Sequence, residues 1–139
     1  YSNRGEFKDV AEAGIEFIRK YPDSFIANQM RGETGFALTQ LKRYDEAIEH
    51  YQAIVESSKS PKWLKREATF RLAFVYHDKD NLEKAMELLD QYSTIYSTSK
   101  TDTSYAKEIK DVCLKEKKDK DKDKGKDGKP EQKPDKKDK

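Results

Sequence analysis

Few side chains in this chain have the chemistry to act at neutral pH. His50 and His77 fall on different helical segments, and no Cys or carboxylate cluster stands at metal-ligand spacing around either. Cys113 is the single thiol, so no internal disulfide can form, and one thiol suits either redox compartment. Asp119-x-Asp121-x-Asp123 has the opening spacing of a calcium loop. The match ends there: Lys124 stands at the sixth place, where the turn needs Gly, and Pro130 at the twelfth, where the loop needs Glu. The interleaved lysines also repel a cation. No Gly-rich phosphate loop, nucleophile elbow or paired-acid motif is present. The sequence therefore points away from an enzyme, a cofactor or a bound metal, and toward a surface that binds.

Charge places that surface. Charged residues make up 40% of the 139, with a net of +2. From Lys115 onward, 12 Lys face 8 Asp and Glu, leaving +4 there and −2 in the body. The basic balance belongs to the tail and gives no support to a nucleic-acid-binding body. Mean hydropathy is −1.14, and no run of about 18 apolar residues exists to span a membrane. From 117 to 139 the sequence is Lys, Asp, Gly and Pro, with one Glu and one Gln and nothing apolar except the prolines, which predicts a disordered tail.

The body must position whatever binds, and its pattern repeats. Phe7-x-x-Val10-x-x-x-Gly14-x-x-Phe17 is matched by Tyr44-x-x-Ala47-x-x-x-Tyr51-x-x-Ile54 and by Leu82-x-x-Ala85-x-x-x-Leu89-x-x-Tyr92. Spacings of 3, 4 and 7 are an apolar helical stripe. Starts 37 and then 38 residues apart mark a stack of helix pairs. The first helix is expected over about 6–20, with Phe7, Val10, Gly14, Phe17 and Ile18 inward. The second is expected over 24–41, the third over 44–57, the fourth from Ser60-Pro61 to Asp78 and the fifth from Leu82 to about Tyr96. Ser60 reads as an N-cap, and Asp80-x-x-Glu83 as a capping box. Trp63 reads as a staple for the turn before the fourth helix, with an exposed anchor as the alternative. A polar linker, 97–104, precedes an amphipathic helix carrying Tyr105, Ile109, Val112 and Cys113, expected over 102–116 as the cap that closes the stack.

These residues resemble the tetratricopeptide repeat, a helix-turn-helix unit of 34 residues. Leu72-Ala73-x-x-Tyr76 is similar to the Leu-Gly-x-x-Tyr portion of its first helix, Gly35 and Leu38 take the same places one repeat earlier, and Pro22 stands where the family closes a repeat. Gly14 replaces an aromatic, and Lys42 and Asp80 replace the turn glycine. The resemblance covers about 1–99 and implies an all-α antiparallel helix-pair solenoid over 1–114, with repeats at about 1–24, 25–60 and 61–99. It also implies that the chain begins inside its first repeat, with upstream residues that could include a membrane anchor. The long periods resemble the divergent repeats of bacterial cell-envelope assembly factors, and the Lys- and Asp-rich style resembles spirochaetal envelope proteins. That resemblance implies an envelope or periplasmic setting ahead of a cytoplasmic one.

The resemblance further implies a protein–protein interaction module: an adaptor, scaffold or stabilising partner acting through a concave groove. Family register places Gln29, Phe36 and Gln40 in that groove from the second helix, and Glu67, Phe70, Phe74 and His77 from the fourth. Aromatic side chains in a groove anchor partners. One family subclass clamps C-terminal carboxylates with Lys and Asn, but here those places hold Gln29, Gly32, Glu33 and Glu67, with Arg71 the cation among them. A carboxylate needs several converging cationic donors. The alternative is self-association through the first helix, by Phe7, Val10 and Phe17. The partners expected are thus another protein or a second copy of the chain.

Overall fold

The computed structural model describes residues 4–96 and 100–127. Six helices follow in order: α1 (Arg4–Lys20), α2 (Ala27–Gln40), α3 (Tyr44–Glu56), α4 (Lys62–Asp78), α5 (Leu82–Gln91) and α6 (Lys100–Asp127). A single π-turn, Tyr92–Tyr96, extends α5. Each helix packs on its neighbour in the chain, and α2 also touches α4, which is an all-α stack of antiparallel pairs.

The repeated stripe is the core. Ala47, Tyr51 and Ile54 of α3 and their counterparts Ala85, Leu89 and Tyr92 are all buried. The first copy departs from the pattern, because Ala11 and Gly14 are buried on α1 while Val10 is exposed. Small residues set how closely the helices approach. A Cβ on Gly35 would lie 2.9 Å from the Tyr51 ring, so α2 and α3 meet backbone to ring. Burial there pushes the Tyr51 phenol up to about 12.

The two turns inside the helix pairs are built alike. Lys42 and Asp80 have φ of 63° and 70°, the left-handed conformation for which the family uses glycine. At the first turn, Lys42 N–H donates to Thr39 O (2.9 Å) and Arg43 N–H to Leu38 O (2.8 Å). At the second, Asp80 N–H donates to His77 O (2.9 Å) and Asn81 N–H to Tyr76 O (2.8 Å). This paired pattern satisfies the last carbonyls of a helix before the chain reverses.

Some local expectations need correction. Asn81, not Asp80, caps α5, its side chain accepting from Lys84 N–H at 3.2 Å. Asp80 has already been spent on the left-handed turn. Ser60 does not cap α4: Pro61 holds the cap position and the Ser60 hydroxyl donates backward to Ile54 O (2.7 Å). The linker is shorter and the cap helix longer than expected, since α6 starts at Lys100 and runs past 116 to Asp127. Its distal half is tied to the rest of the stack by ion pairs to α4, α5 and the turn between them: Glu116 to His77 (3.0 Å), Lys117 to Glu83 (3.3 Å) and Lys120 to Asp80. Oppositely charged side chains three and four apart along the helix add local support. Of the tail expected to be disordered, 117–127 is therefore helical, and 128–139 lies outside the described residues. No described helix is long and apolar enough to cross a membrane.

Candidate functional site

A cleft of about 480 Å³ opens where α1, α2 and α4 meet. Its position follows from the packing. α2 is sandwiched between α1 and α3 and also touches α4, so one of its faces is left between α1 and α4. That face carries Gln29, Gly32, Glu33 and Phe36 at helical spacing. α4 answers with Trp63, Leu64, Glu67 and Arg71, and α1 with Phe7 and Val10.

The walls are apolar and partly in water. Val10 is 45% exposed, Phe36 40% and Trp63 51%. The Phe7 and Phe36 rings meet edge to face at 6.0 Å, joining α1 to α2 along the cleft. The Arg71 guanidinium stands 5.1 Å over the Phe36 ring and 3.6 Å from the Glu67 carboxylate. Its charge is thus held by a ring face and an acid at once.

Of the residues expected in a groove, Gln29, Phe36 and Glu67 line this cleft. Phe7 and Val10, expected to form a separate interface, line it too. The remaining candidates sit elsewhere. Gln40 is exposed at the end of α2. Phe17 pairs with Tyr21 at 5.3 Å, beside the α1–α2 turn. Phe70 is half-buried in an aromatic cluster, its ring 5.0 Å from Phe74, 4.8 Å from Tyr92 and 5.8 Å from Tyr105 of α6. The cap helix thus covers part of the surface Phe70 was expected to offer. His77 is engaged by Glu116 of α6 at 3.0 Å and by Asp78 at 3.5 Å, so it fastens the cap rather than standing open.

Two exposed aromatics stand outside the set expected in the groove. Trp63 takes the alternative to the staple: it is half exposed and lines the cleft, because α4 starts one residue before it and its first turn faces α2. Phe25, in the α1–α2 turn, is 96% exposed, and no periodic pattern marks a turn residue. Among the described residues, no three His, Cys, Asp or Glu side chains come together to hold a metal.

Two family models of the tetratricopeptide repeat match the chain, one over residues 34–61 and the other over 67–99. The first begins midway along α2 and runs through α3, and the second covers most of α4 and all of α5. No curated protein and no solved structure matches it.

Proposed function

This chain is a tetratricopeptide repeat protein, and from that premise we propose that it holds a segment of another protein in the α1–α2–α4 cleft, as an adaptor, scaffold or stabilising partner. Repeats of this family are generally protein–protein interaction modules and typically non-catalytic. One observation carries the finer reading: half-exposed apolar side chains from three helices, Val10, Phe36 and Trp63, converge on one concavity. Isolated apolar residues on a surface are ordinary, but a cluster around a cleft marks a binding site. Aromatic anchors in such clefts dominate the energetics of protein interfaces.

The test is affinity capture from the source organism with the intact chain beside its Phe36→Glu, Trp63→Glu variant. The reading expects prey bound by the natural chain and lost from a variant whose helical circular dichroism is unchanged. Identical prey on both would remove the cleft from consideration.

A second reading, self-association, is favoured by the aromatic residues at the α1–α2 turn, where Phe25 is almost wholly exposed four residues after Tyr21 of the Phe17–Tyr21 pair. Light scattering over a concentration series separates it. A mass that rises with concentration and falls back in Phe25→Ser would support a second copy as partner.

A further inference from the structure

The charges around the cleft are unevenly matched, and this says what kind of segment fits it. Glu67 is answered by Arg71 at 3.6 Å, and Arg71 is also stacked over Phe36. Just before Glu67 on α4, Arg66 meets Asp102 at 3.3 Å. Glu33 is different. It lies on the cleft wall one turn before Phe36, it is exposed, and among the described residues no cation forms an ion pair with it. The unmatched charge in the lining is therefore a carboxylate, set among aromatic rings whose faces also attract cations. A partner's carboxylate would meet Glu33 with only an already engaged arginine to receive it, which is poor recognition for an anion.

Resting on the reading of this cleft as the partner site, we infer that it accepts a linear segment in which a bulky apolar side chain stands next to Lys or Arg. The apolar side chain enters between Phe36 and Trp63, and the neighbouring cation pairs with Glu33. The volume of about 480 Å³ is in the range of clefts that bury a few side chains rather than a folded domain. The chain's own segment from Lys117 onward supplies cations but no bulky apolar side chain beside them, so it matches only half of this surface.

The test uses the intact chain and a phage-displayed library of random peptides. Enriched peptides are then made synthetically and their binding measured by fluorescence anisotropy. The inference expects enriched sequences that place Lys or Arg within a position or two of Trp, Phe, Leu or Ile. Their binding is lost in Trp63→Ala. Glu33→Gln weakens it about threefold to fivefold, the scale of one exposed ion pair, and Glu33→Lys weakens it further. Glu33 is exposed, so neither change threatens the fold. Peptides that need Trp63 but carry no cation, or that are acidic, would overturn the charge preference and leave the cleft standing. Peptides indifferent to Trp63, or no enrichment at all, would overturn both the preference and the cleft. Self-association abolished by Trp63→Ala would overturn the inference by giving the cleft to a second copy.

Discussion

Gly14 of α1 faces the Thr34 hydroxyl of α2 with no room for a Cβ between them. The hydroxyl is buried and, among the described residues, lacks a hydrogen-bond partner. The contact fixes how α1 lies on α2, and hence where Phe7 meets Phe36 and where Val10 lines the cleft. Gly14→Ala should cost about 1–3 kcal/mol, the usual scale of overpacking. Thr34→Ala alone should cost little, because it removes an unpaired buried hydroxyl along with a methyl. Combined, the two should cost about 1 kcal/mol less than their sum, since the clashing oxygen is gone even though the residue-34 Cβ remains 3.1 Å away. Urea unfolding of the four proteins gives the coupling, and strict additivity would mean that α1 moves aside instead.

Lys42 and Asp80 both hold the left-handed turn, but at unequal cost. A lysine there carries about 1–2 kcal/mol of steric strain, whereas Asp visits that conformation more readily. Glycine removes the strain and returns part of it as unfolded-state entropy. Lys42→Gly should therefore stabilise the chain by about 0.5–1 kcal/mol. Asp80→Gly should gain less, because it also gives up the ion pair to Lys120. Thermal melts of the two variants test the ranking. A destabilised Lys42→Gly would show that the side chain makes a contact worth more than the strain.

Much of this architecture is legible in the sequence, for a physical reason. Ala47, Tyr51 and Ile54 repeat as Ala85, Leu89 and Tyr92 because each helix buries one face against its neighbours, and burial of one face is what periodicity records. The positions that replace the turn glycine, 42 and 80, are also those found at positive φ. The cleft is harder to read. It joins Phe7 and Val10 to Phe36 and Trp63, and that junction depends on the offset between α1 and α2 rather than on any one helix's stripe. His77 shows the same limit, because its partner Glu116 is 39 residues away in sequence. The length of α6 was hidden for a related reason: a Lys/Asp run reads as solvated until Glu83 and Asp80 are placed beside Lys117 and Lys120.

The two histidines should give the stability opposite dependences on pH. Glu116 and then Asp78 hold the His77 imidazolium, and these pairings outweigh burial to raise its pKa above the usual 6.5. Its contribution is complete below about pH 6.5 and is lost as pH rises through the folded value. His50 is lowered, first by burial and then by Arg31, so its contribution is present above about pH 6.5 and is lost as pH falls. His77→Gln should therefore lose stability at about pH 5.5 and little at about pH 8. His50→Gln should be relatively more stable at the lower pH. The His77 effect should stay below about 1 kcal/mol, because the pair is partly in water. Denaturant melts at both pH values settle it, and parallel curves for the natural chain and His77→Gln would dissolve the proposed fastening of α6.

Cys113 reports on that fastening directly. Its thiol is buried, as is Ala106 two turns earlier on α6, and burial followed by the nearby Glu116 raises its pKa. A thiol that is both covered and reluctant to ionise reacts slowly. Labelling therefore requires α6 to lift. Among the described residues beyond Cys113, the ties from α6 to the rest of the stack are ionic, through His77, Glu83 and Asp80. Salt shortens the reach of such pairs to about 3 Å at 1 M. Reaction with a thiol-specific reagent should consequently be slow at low ionic strength and several-fold faster at about 1 M salt. The Lys117→Ala, Lys120→Ala variant should label at the faster rate at low salt and respond less to added salt. The cause is local opening of one helix rather than global unfolding, so the α1–α5 helical signal should not change while the rate does. Labelling that is slow in every case would mean that Ala106, Ile109 and Cys113 hold the cap by apolar packing alone, with the ion pairs contributing nothing measurable.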